Sequence, residues 1–425
     1  MTAAKKGNAI EVQRLIDIPE VDVNYADRSR MDARRVLGNH TSLYLAARYG
    51  HEEVVKVLLQ HPKLDVNHRD YFNRTALWLA INRGHLPVSK LLINDNRTDV
   101  NMAGGAITRS SRNKPMVTPL YMASRRYKDY NQNDIPHYLE VVKLLVSHPQ
   151  IDINKGSLQS GETPLLVASM NGNEEVVKEL LAHPKIDVNK VYESGPDEGA
   201  SALLVASSNR PPSLEVVKDL LSHPDIDVNH QVDSQYPKPT ALFIASQKGN
   251  LTLLKMLLAH EKIDVNQGMK GNRERTALFT ASAMGNVDIV KALLDDQRVD
   301  VNQPDDRGAT PLFIISTKPS YIETYDDALE VMKLLLADPR VDPNILSTSG
   351  SEPSAITAAA MSGNLEAVRL LLRCPKVTLG LKDMYGRSEI DYAREKSPRV
   401  PDELRLQILE AIESRQALLE QGHTC

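Results

Sequence analysis

The segment from Thr41 to Asn67 recurs, with variation, along nearly the whole 425-residue chain. Close copies cover 75–101, 163–189, 240–266 and 276–302, and copies with insertions or sequence decay begin at 118, 201, 310 and 354. In a chain built this way, each copy is one small unit that buries its apolar face against its neighbours. The repeat therefore predicts one array of similar units, although this length alone would suggest two or three domains.

Each copy is predicted to form two helices followed by a polar, turn-rich arm. The first helix begins at a Thr, whose hydroxyl can cap the helix, and Thr118-Pro119 adds a proline at a position where its missing N–H costs nothing. That helix stops at a Gly, which takes the left-handed backbone conformation without steric penalty. These glycines are Gly50, Gly84, Gly172, Gly249, Gly285 and Gly363. The second helix is apolar at the spacing of Val54, Val57 and Leu58, and it ends near a proline.

Four elements of the copy together resemble the ankyrin repeat: Thr-x-Leu-x-x-Ala, a Gly-His or Gly-Asn turn, Val-Val-Lys-x-Leu-Leu, and Asp-Val-Asn. The resemblance covers about residues 2–413, and the segment 383–396 is similar to a terminal ankyrin repeat. One departure is systematic, because His-Pro-x-Ile or a variant replaces the usual Gly-Ala before Asp-Val-Asn and is one residue longer. The resemblance implies an all-α repeat solenoid of about ten or eleven stacked helix-turn-helix units with β-hairpin-like arms.

We predict that residues 1–396 form the array and that 397–425 form a C-terminal capping helix and frayed tail continuous with it. The first unit, 2–24, is shortened, with Ala3–Gly7 as the end of its first helix and Val12–Ile16 in its second. The final helix is expected from about Asp402 to Glu420. Its apolar face is predicted to comprise Leu404, Ile408, Ala411, Ile412 and Leu419. A polar outer face suits an end unit that closes the core against water.

Long arms and insertions interrupt the repeat at several places. The arms at 25–40 and 102–117 are much longer than the arm between Asn67 and Thr75, and insertions between helices occur at 125–138, 208–213 and 317–327. Loops on such scaffolds often carry specific contacts. Neutral drift in solvent explains them equally well, and both alternatives stay open.

Composition places few limits on function but favours a location. Hydrophobic residues make up 41% of the chain and charged residues 25%, which is ordinary for a folded protein. No apolar run approaches the roughly 20 residues of a membrane span, and the first residues have no signal-peptide core. The only cysteines, Cys374 and Cys425, do not indicate a disulfide framework. We therefore expect a cytoplasmic protein, with the nucleus as the other possible compartment.

One column of potential metal ligands stands at the ends of the second helices. It comprises His61, Asp95, His148, His183, His223, His260, Asp296, Asp338 and Cys374. Equivalent points on packed helices lie roughly 8–10 Å apart, whereas zinc needs its ligand atoms within about 2.0–2.3 Å of one point. We therefore interpret the column as structural and expect no metal and no cofactor.

A second column is aromatic and directly follows Thr-x-Leu. It comprises Tyr44, Trp78, Tyr121, Phe243, Phe279 and Phe313. In the ankyrin family this position packs within and between repeats, so the resemblance favours the core over a ligand platform.

Three common catalytic motifs are missing or incomplete in the sequence. His51-Glu52-Glu53 lacks the second histidine of a zinc-protease helix, and Gly104-Gly105 lacks the Lys-Ser/Thr end of a phosphate-binding loop. There is no Gly-x-Ser-x-Gly elbow. We therefore expect a protein that is not an enzyme.

Charge is distributed unevenly along the chain. Residues 1–150 hold 22 Lys and Arg against 15 Asp and Glu, whereas residues 151–425 hold 29 against 40. In ankyrin proteins the arm tips and the ends of the first helices line a concave groove, so the resemblance implies that the basic residues there bind a partner. The predicted partner-binding residues are Arg48, Tyr49, Tyr71, Phe72, Arg74, Arg83, Arg109, Arg112, Lys114, Arg125 and Arg126. An ordinary solvated basic face is the alternative for the same residues.

The sequence thus favours a protein–protein interaction scaffold or adaptor, monomeric and without membrane insertion. Its basic N-terminal end would suit an acidic segment of a protein partner. The alternative is binding of nucleic acid or another polyanion by the basic N-terminal third. Salt dependence alone does not separate the two, because both are electrostatic.

Overall fold

A computed structural model describes residues 1–27, 38–105, 116–125, 135–232, 239–317, 325–347, 354–395 and 400–421, with the side chains of 135–137 excepted. The chain separates into two compact units, Met1–Asp227 and Val228–Cys425. In the described part of both units the regular structure is entirely α-helical, and the helices follow one another in eleven pairs.

The first unit consists of helix pairs that stack in chain order. Its helices are α1 (Thr2–Lys6), α2 (Ala9–Ile16), α3 (Ser42–Tyr49), α4 (Glu52–Leu59), α5 (Ala76–Asn82), α6 (Leu86–Ile93), α7 (Pro119–Ser124), α8 (Ile135–Val146), α9 (Pro164–Met170), α10 (Glu174–Leu181), α11 (Ala202–Ser208) and α12 (Leu214–Leu221). The odd-numbered helices, called inner helices below, each contact the next inner helix, and the even-numbered outer helices do the same. Helices α1 and α2 lie within residues 2–24, the segment that the sequence analysis predicted as a shortened first repeat.

The second unit repeats this arrangement. Its helices are α13 (Ala241–Gln247), α14 (Leu251–Leu258), α15 (Ala277–Met284), α16 (Val287–Leu294), α17 (Pro311–Ser316), α18 (Tyr325–Ala337), α19 (Ala355–Ser362), α20 (Leu365–Arg373), α21 (Glu389–Arg394) and α22 (Asp402–Glu420). Inner helices again contact inner helices and outer helices contact outer ones, and α22 also contacts α21. Each unit thus has the layered packing of an all-α repeat solenoid, as predicted.

Local sequence explains where the inner helices begin and end. The hydroxyls of Thr41, Thr75, Thr118, Thr163, Thr240, Thr276 and Thr310 each accept the N–H of the residue three positions on, at 3.1–3.2 Å. The predicted Thr caps are therefore confirmed. The glycines predicted to end the helices all have positive φ, between 65° at Gly249 and 74° at Gly50. A side chain at these positions would strain the backbone.

The core of each unit lies between its inner and outer helices. The aromatic column is buried as expected, from 1% exposure at Tyr44 and Phe279 to 9% at Trp78. The outer helices contribute valines and leucines at helical spacing, as Val54, Val55 and Leu58 do in α4. Non-directional burial of this kind provides most of the stabilisation of a helical stack.

The arms are short hairpin-like turns rather than strands. Among the described residues they form isolated antiparallel bridges, such as Gly104 with Val117 and Val191 with Ser201. Three arms turn in the same way, at Asp70, Asp305 and Asp383. In each, the carboxylate accepts the N–H groups two and four residues on. The residue between those donors has positive φ, and it is Asn73, Gly308 or Gly386.

The final helix, α22, agrees with the prediction except at one residue. Ile408 and Ile412 are buried, at 1% and 0% exposure, but Leu419 is 39% exposed. The placement of Leu419 on the buried face is therefore wrong. Among the described helices, none combines the length and the apolar character that crossing a membrane requires.

Candidate partner-binding site

Three of the predicted basic residues occur at the ends of successive inner helices. Arg48 lies in the last turn of α3, Arg83 is the C-cap of α5, and Arg125 is the C-cap of α7. The Thr caps start all three helices at equivalent positions, and α3, α5 and α7 pack side by side in that order. The three neighbouring repeats therefore each place one arginine at the same end of the row of inner helices.

Arg48 and Tyr49 form a small basic and aromatic surface. The Arg48 guanidinium lies 5.7 Å from the centroid of the Tyr49 ring, a cation–π distance. Tyr49 also stacks on His51 with ring centroids 6.1 Å apart, and it remains 43% exposed. An exposed tyrosine held by two neighbours offers apolar contact area at low entropic cost.

A histidine of the next repeat fixes the backbone beneath this surface. Nε2 of His85 donates to the carbonyl oxygen of Arg48 at 3.2 Å. Burial lowers the pKa of His85, which favours the neutral ring. His51 makes the equivalent bond to the carbonyl oxygen of Lys5, at 2.9 Å. These bonds satisfy carbonyls at helix C-termini that lack intrahelical partners.

Arg83 and Arg125 are both exposed at their helix ends. In the described part of the chain, Arg83 makes no ion pair or side-chain hydrogen bond. An exposed, unpaired guanidinium keeps its planar set of donors available for a carboxylate. Arg83 is therefore the predicted residue whose surroundings best suit binding of an external anion.

Arg74, also a predicted partner-binding residue, is engaged within the arm. Its Nε and Nη2 atoms donate to Oδ2 of Asp70 at 2.8 and 2.6 Å, and Nη2 also donates to the hydroxyl of Tyr44 at 2.9 Å. The Tyr44 hydroxyl donates to the same Asp70 oxygen at 2.6 Å. Burial raises the pKa of Tyr44, so the phenol stays protonated and remains a donor. The charge of Arg74 is thus largely balanced by a buried carboxylate.

The two aromatic residues at the tip of this arm differ in exposure. Phe72 is half-buried beneath Arg74, whose guanidinium carbon lies 4.7 Å from the ring centroid. Tyr71 is 49% exposed. Tyr71 is therefore the aromatic residue of the tip that a partner could cover. The other predicted residues, Arg109, Arg112, Lys114 and Arg126, lie outside the described part of the chain.

Sequence reasoning missed the residues that tie the arms to the helices. Besides Asp70, Glu162 is only 9% exposed, and it accepts hydrogen bonds from the hydroxyls of Tyr121 and Tyr192 at 2.5 and 2.8 Å. For Asp70 a usable signal existed, because an Asp stands three residues before the positive-φ residue in several arms. For Glu162 no comparable pattern exists, since its partners lie 41 and 30 residues away.

The helix-end column has a structural role in the described residues. Nδ1 of His61, His148, His183, His223 and His260 accepts the N–H of the residue two positions on, at 3.2–3.3 Å. Oδ1 of Asp95, Asp296 and Asp338 accepts the equivalent N–H at 2.8–3.0 Å. Nδ1 of His and Oδ1 of Asp accept the same backbone N–H, which explains why either residue type can stand at this position. Within the described ranges, no three His, Cys, Asp or Glu side chains are grouped to hold a metal ion.

The chain matches a family model, and it is similar in fold to solved structures. The family model for ankyrin repeats, described as three copies, matches residues 1–104, 107–190, 131–232, 203–305 and 242–324. Among solved structures, the chain is similar to an ankyrin repeat domain from Acinetobacter baumannii AYE, at 22% identity and a TM-score of 0.40, covering 51% of this chain and 96% of that one. No curated protein matches this chain.

Proposed function

The chain belongs to the ankyrin-repeat family, and we propose that it is a protein–protein interaction scaffold or adaptor that holds its partner in the concave groove expected of such repeats. The basic N-terminal part of that groove receives an acidic segment of the partner. The protein acts without catalysis or cofactor, in a cytoplasmic or nuclear setting.

The observation that carries this proposal is the series Arg48, Arg83 and Arg125 on adjacent inner helices. Because the units repeat, each adds one charge at the end of its inner helix, and the charges act together. Such a series attracts an acidic chain over about one Debye length, roughly 8 Å at physiological salt. Complementary charge mainly raises the association rate and excludes wrong partners.

Charge alone supplies little affinity at an exposed site, since surface ion pairs contribute about 0–1 kcal/mol each. The exposed rings of Tyr49 and Tyr71 supply the apolar contact. Tyrosine and arginine are the residue types that most often dominate binding energy at interfaces. The partner segment is therefore expected to combine carboxylates with apolar residues.

The test begins with affinity capture from native lysate and identification of the captured proteins by mass spectrometry. A purified captured partner is then measured against the variant that carries Arg48→Glu, Arg83→Glu and Arg125→Glu. We expect loss of binding without unfolding, because solvent-facing changes usually alter stability by about 0.5 kcal/mol or less each. The association rate should fall more than the dissociation rate rises.

The matched control reverses three exposed lysines on outer helices, Lys218, Lys255 and Lys291, which changes net charge equally. A partner that binds the arginine variant as tightly as the native chain would place the site elsewhere. The polyanion alternative is separated by competition. If heparin or RNA displaces the protein partner only at high excess, the scaffold is supported, whereas tight stoichiometric RNA binding favours the alternative.

A further inference from the structure

The basic residues at the ends of the inner helices continue into the first helix pair. Helix α1 ends in Lys5 and Lys6, and both side chains are exposed. His51 donates to the carbonyl oxygen of Lys5 as His85 does to that of Arg48, so Lys5 and Arg48 occupy equivalent places in their repeats. Four successive inner helices, α1, α3, α5 and α7, therefore each end in at least one cationic side chain.

These side chains form a row of limited length, called the cationic row below. It comprises Lys5, Lys6, Arg48, Arg83 and Arg125. In the next two repeats, the equivalent residues at 170–171 and 208–209 are uncharged. The four helices pack side by side in chain order, and packed helices lie roughly 8–10 Å apart. The cationic row therefore spans about 24–30 Å.

The described acidic side chains that open the outer helices after α1 and α3 are already paired. They are Glu11, which binds Arg14, and Glu52 and Glu53, which bind Lys56, all at 2.7–2.8 Å. Within the described ranges, Lys5, Lys6 and Arg83 make no ion pair. A carboxylate from outside the chain therefore meets no internal competitor at these three residues.

An aromatic ring interrupts the cationic row. Tyr49 stands directly before the glycine that ends its helix, where the flanking repeats have Lys6 and Arg83. Its ring is 43% exposed, and the Arg48 guanidinium lies 5.7 Å from its centroid. Exposed aromatic rings are the surfaces on which proline-rich segments in the polyproline II conformation dock.

The spacing of the row distinguishes between conformations of a bound chain. A polyproline II helix has three residues per turn and a rise of about 3.1 Å, so every third side chain points the same way at intervals of about 9.3 Å. Side chains on one face of a β-strand recur at about 6.6 Å, which does not match the helix spacing. An α-helix repeats its face about every 10.5 Å, but it binds through a continuous apolar groove, whereas the described part of the row has one exposed ring.

We propose that the cationic row binds a partner segment of about ten residues in the polyproline II conformation, with Asp or Glu at every third position and prolines between them. This inference rests on the proposed function, because it specifies the acidic segment named there. Each acid meets the cations of one repeat, and a proline covers the ring of Tyr49. Proline fixes φ near about −65°, so the segment loses less conformational entropy on binding.

Three acetylated and amidated peptides of equal charge test the spacing. The first is Glu-Pro-Ala-Glu-Pro-Ala-Glu-Pro-Ala-Glu, and the second has the same composition with Glu at every second position, Glu-Pro-Glu-Pro-Glu-Pro-Glu-Ala-Ala-Ala. The third replaces each proline of the first by alanine. Each carries a fluorescent dye and is titrated with the full chain at low salt, followed by anisotropy.

The first peptide should bind about tenfold more tightly than the second, because only two acids of the second can reach cations of the row at once. It should bind about threefold more tightly than the third, whose free chain has more conformations to lose. The variant with Arg48→Glu and Arg83→Glu should lose binding of the first peptide.

A pair of variants tests whether α1 contributes to the row. The native chain should bind the first peptide about threefold more tightly than a seven-residue form with three Glu. The variant with Lys5→Ala and Lys6→Ala should bind both forms equally. Its control carries Lys255→Ala and Lys291→Ala, exposed on outer helices, and should keep the native preference.

The possible failures are distinguishable. Equal affinities of the first two peptides, or an alanine peptide that binds as tightly as the first, would overturn this inference and leave the proposed function standing. Tighter binding of a helical peptide of about 22 residues with Glu at every seventh position would do the same. If the first peptide binds no more tightly than its counterpart with Lys in place of Glu, the proposed function fails as well.

Discussion

The side-chain amide of Asn67 donates a 2.8 Å hydrogen bond to the backbone carbonyl oxygen of Arg97, which lies in the next repeat. The Oδ1 atom of the same Asn67 accepts the N–H of Asp99, also at 2.8 Å. Both bonds recur at Asn24, Asn101, Asn154, Asn189, Asn229, Asn266, Asn302 and Asn344. The Asn of Asp-Val-Asn therefore joins each outer turn to the following one within both units.

Removing one member of this series should destabilise the first unit measurably. Asn67→Ala removes both hydrogen bonds, and since a typical intramolecular bond contributes about 0.5–1.5 kcal/mol net, the two together should cost about 1–3 kcal/mol. The control is Asn94→Ala, at an exposed helix end, which should cost about 0.5 kcal/mol or less. Urea unfolding followed by circular dichroism gives the comparison. Equal urea midpoints of unfolding for the two variants would show that Asn67 does not couple neighbouring repeats.

The helices and their ends could be predicted from sequence because their causes are local. A Thr cap, a Gly with positive φ and an apolar spacing of three to four residues each act within one turn. The same logic correctly placed Ile408 and Ile412 on the buried face of α22 but failed for Leu419, which is 39% exposed. Which part of a long helix is covered depends on the neighbour it packs against, and local spacing does not contain that information.

The roles of the candidate-site residues were less predictable, because contacts with residues far apart in the sequence decide which of them are available to a partner. Arg74 and Arg83 are both arginines in the basic third, yet only Arg74 meets a buried carboxylate, Asp70. The tyrosine that completes the network, Tyr44, lies 30 residues from Arg74. Whether a charge faces a partner or an internal counter-ion is decided by such distant neighbours.

Replacing Arg340 by lysine should lower the stability of the second unit. Its guanidinium binds Asp338 at 2.7 Å and caps the carbonyl oxygen of Leu294, in the preceding outer helix, at 2.6 Å. Because a lysine offers one point charge in place of a planar fork, Arg340→Lys should lower the free energy of unfolding by about 1–2 kcal/mol. Arg369→Lys, in an exposed pair with Glu366, should change it by less than about 0.5 kcal/mol. Chemical denaturation that ranks the two variants equally would contradict this role.

Stability should also depend on pH through Asp338. The hydrogen bond from Arg340 lowers the pKa of this carboxyl below its usual value. A group whose pKa is lower in the folded state stabilises the fold above its unfolded pKa, about 3.9, and loses that contribution as pH falls through the folded value. Asp338→Asn should therefore differ most from the native chain at neutral pH and converge with it at strongly acidic pH. Glu410→Gln, exposed on α22, should give a nearly constant difference.

The helix-end histidines should act as hydrogen-bond acceptors and not as metal ligands. Purified, dialysed protein is expected to contain no stoichiometric zinc by elemental analysis, and a chelator should leave the melting temperature unchanged. His183→Asn, which keeps an acceptor for the N–H of Lys185, should be more stable than His183→Leu by about 0.5–1 kcal/mol. A whole-number metal ratio that survives dialysis would reject this interpretation.

The last prediction concerns α22 as the proposed cap of the second unit. Ile408 and Ile412 are buried, and α22 packs on α20 and α21, so removal of 397–425 should uncover apolar surface on the last repeat. Ile408→Asp tests the same contact without shortening the chain, and placing a carboxylate in this apolar contact should cost about 3 kcal/mol or more. Leu406→Asp, at a 54% exposed position of the same helix, should cost about 0.5 kcal/mol or less. Calorimetry and solubility measurements decide the matter: a truncated chain that melts and stays soluble like the full one would show that this helix does not close the array.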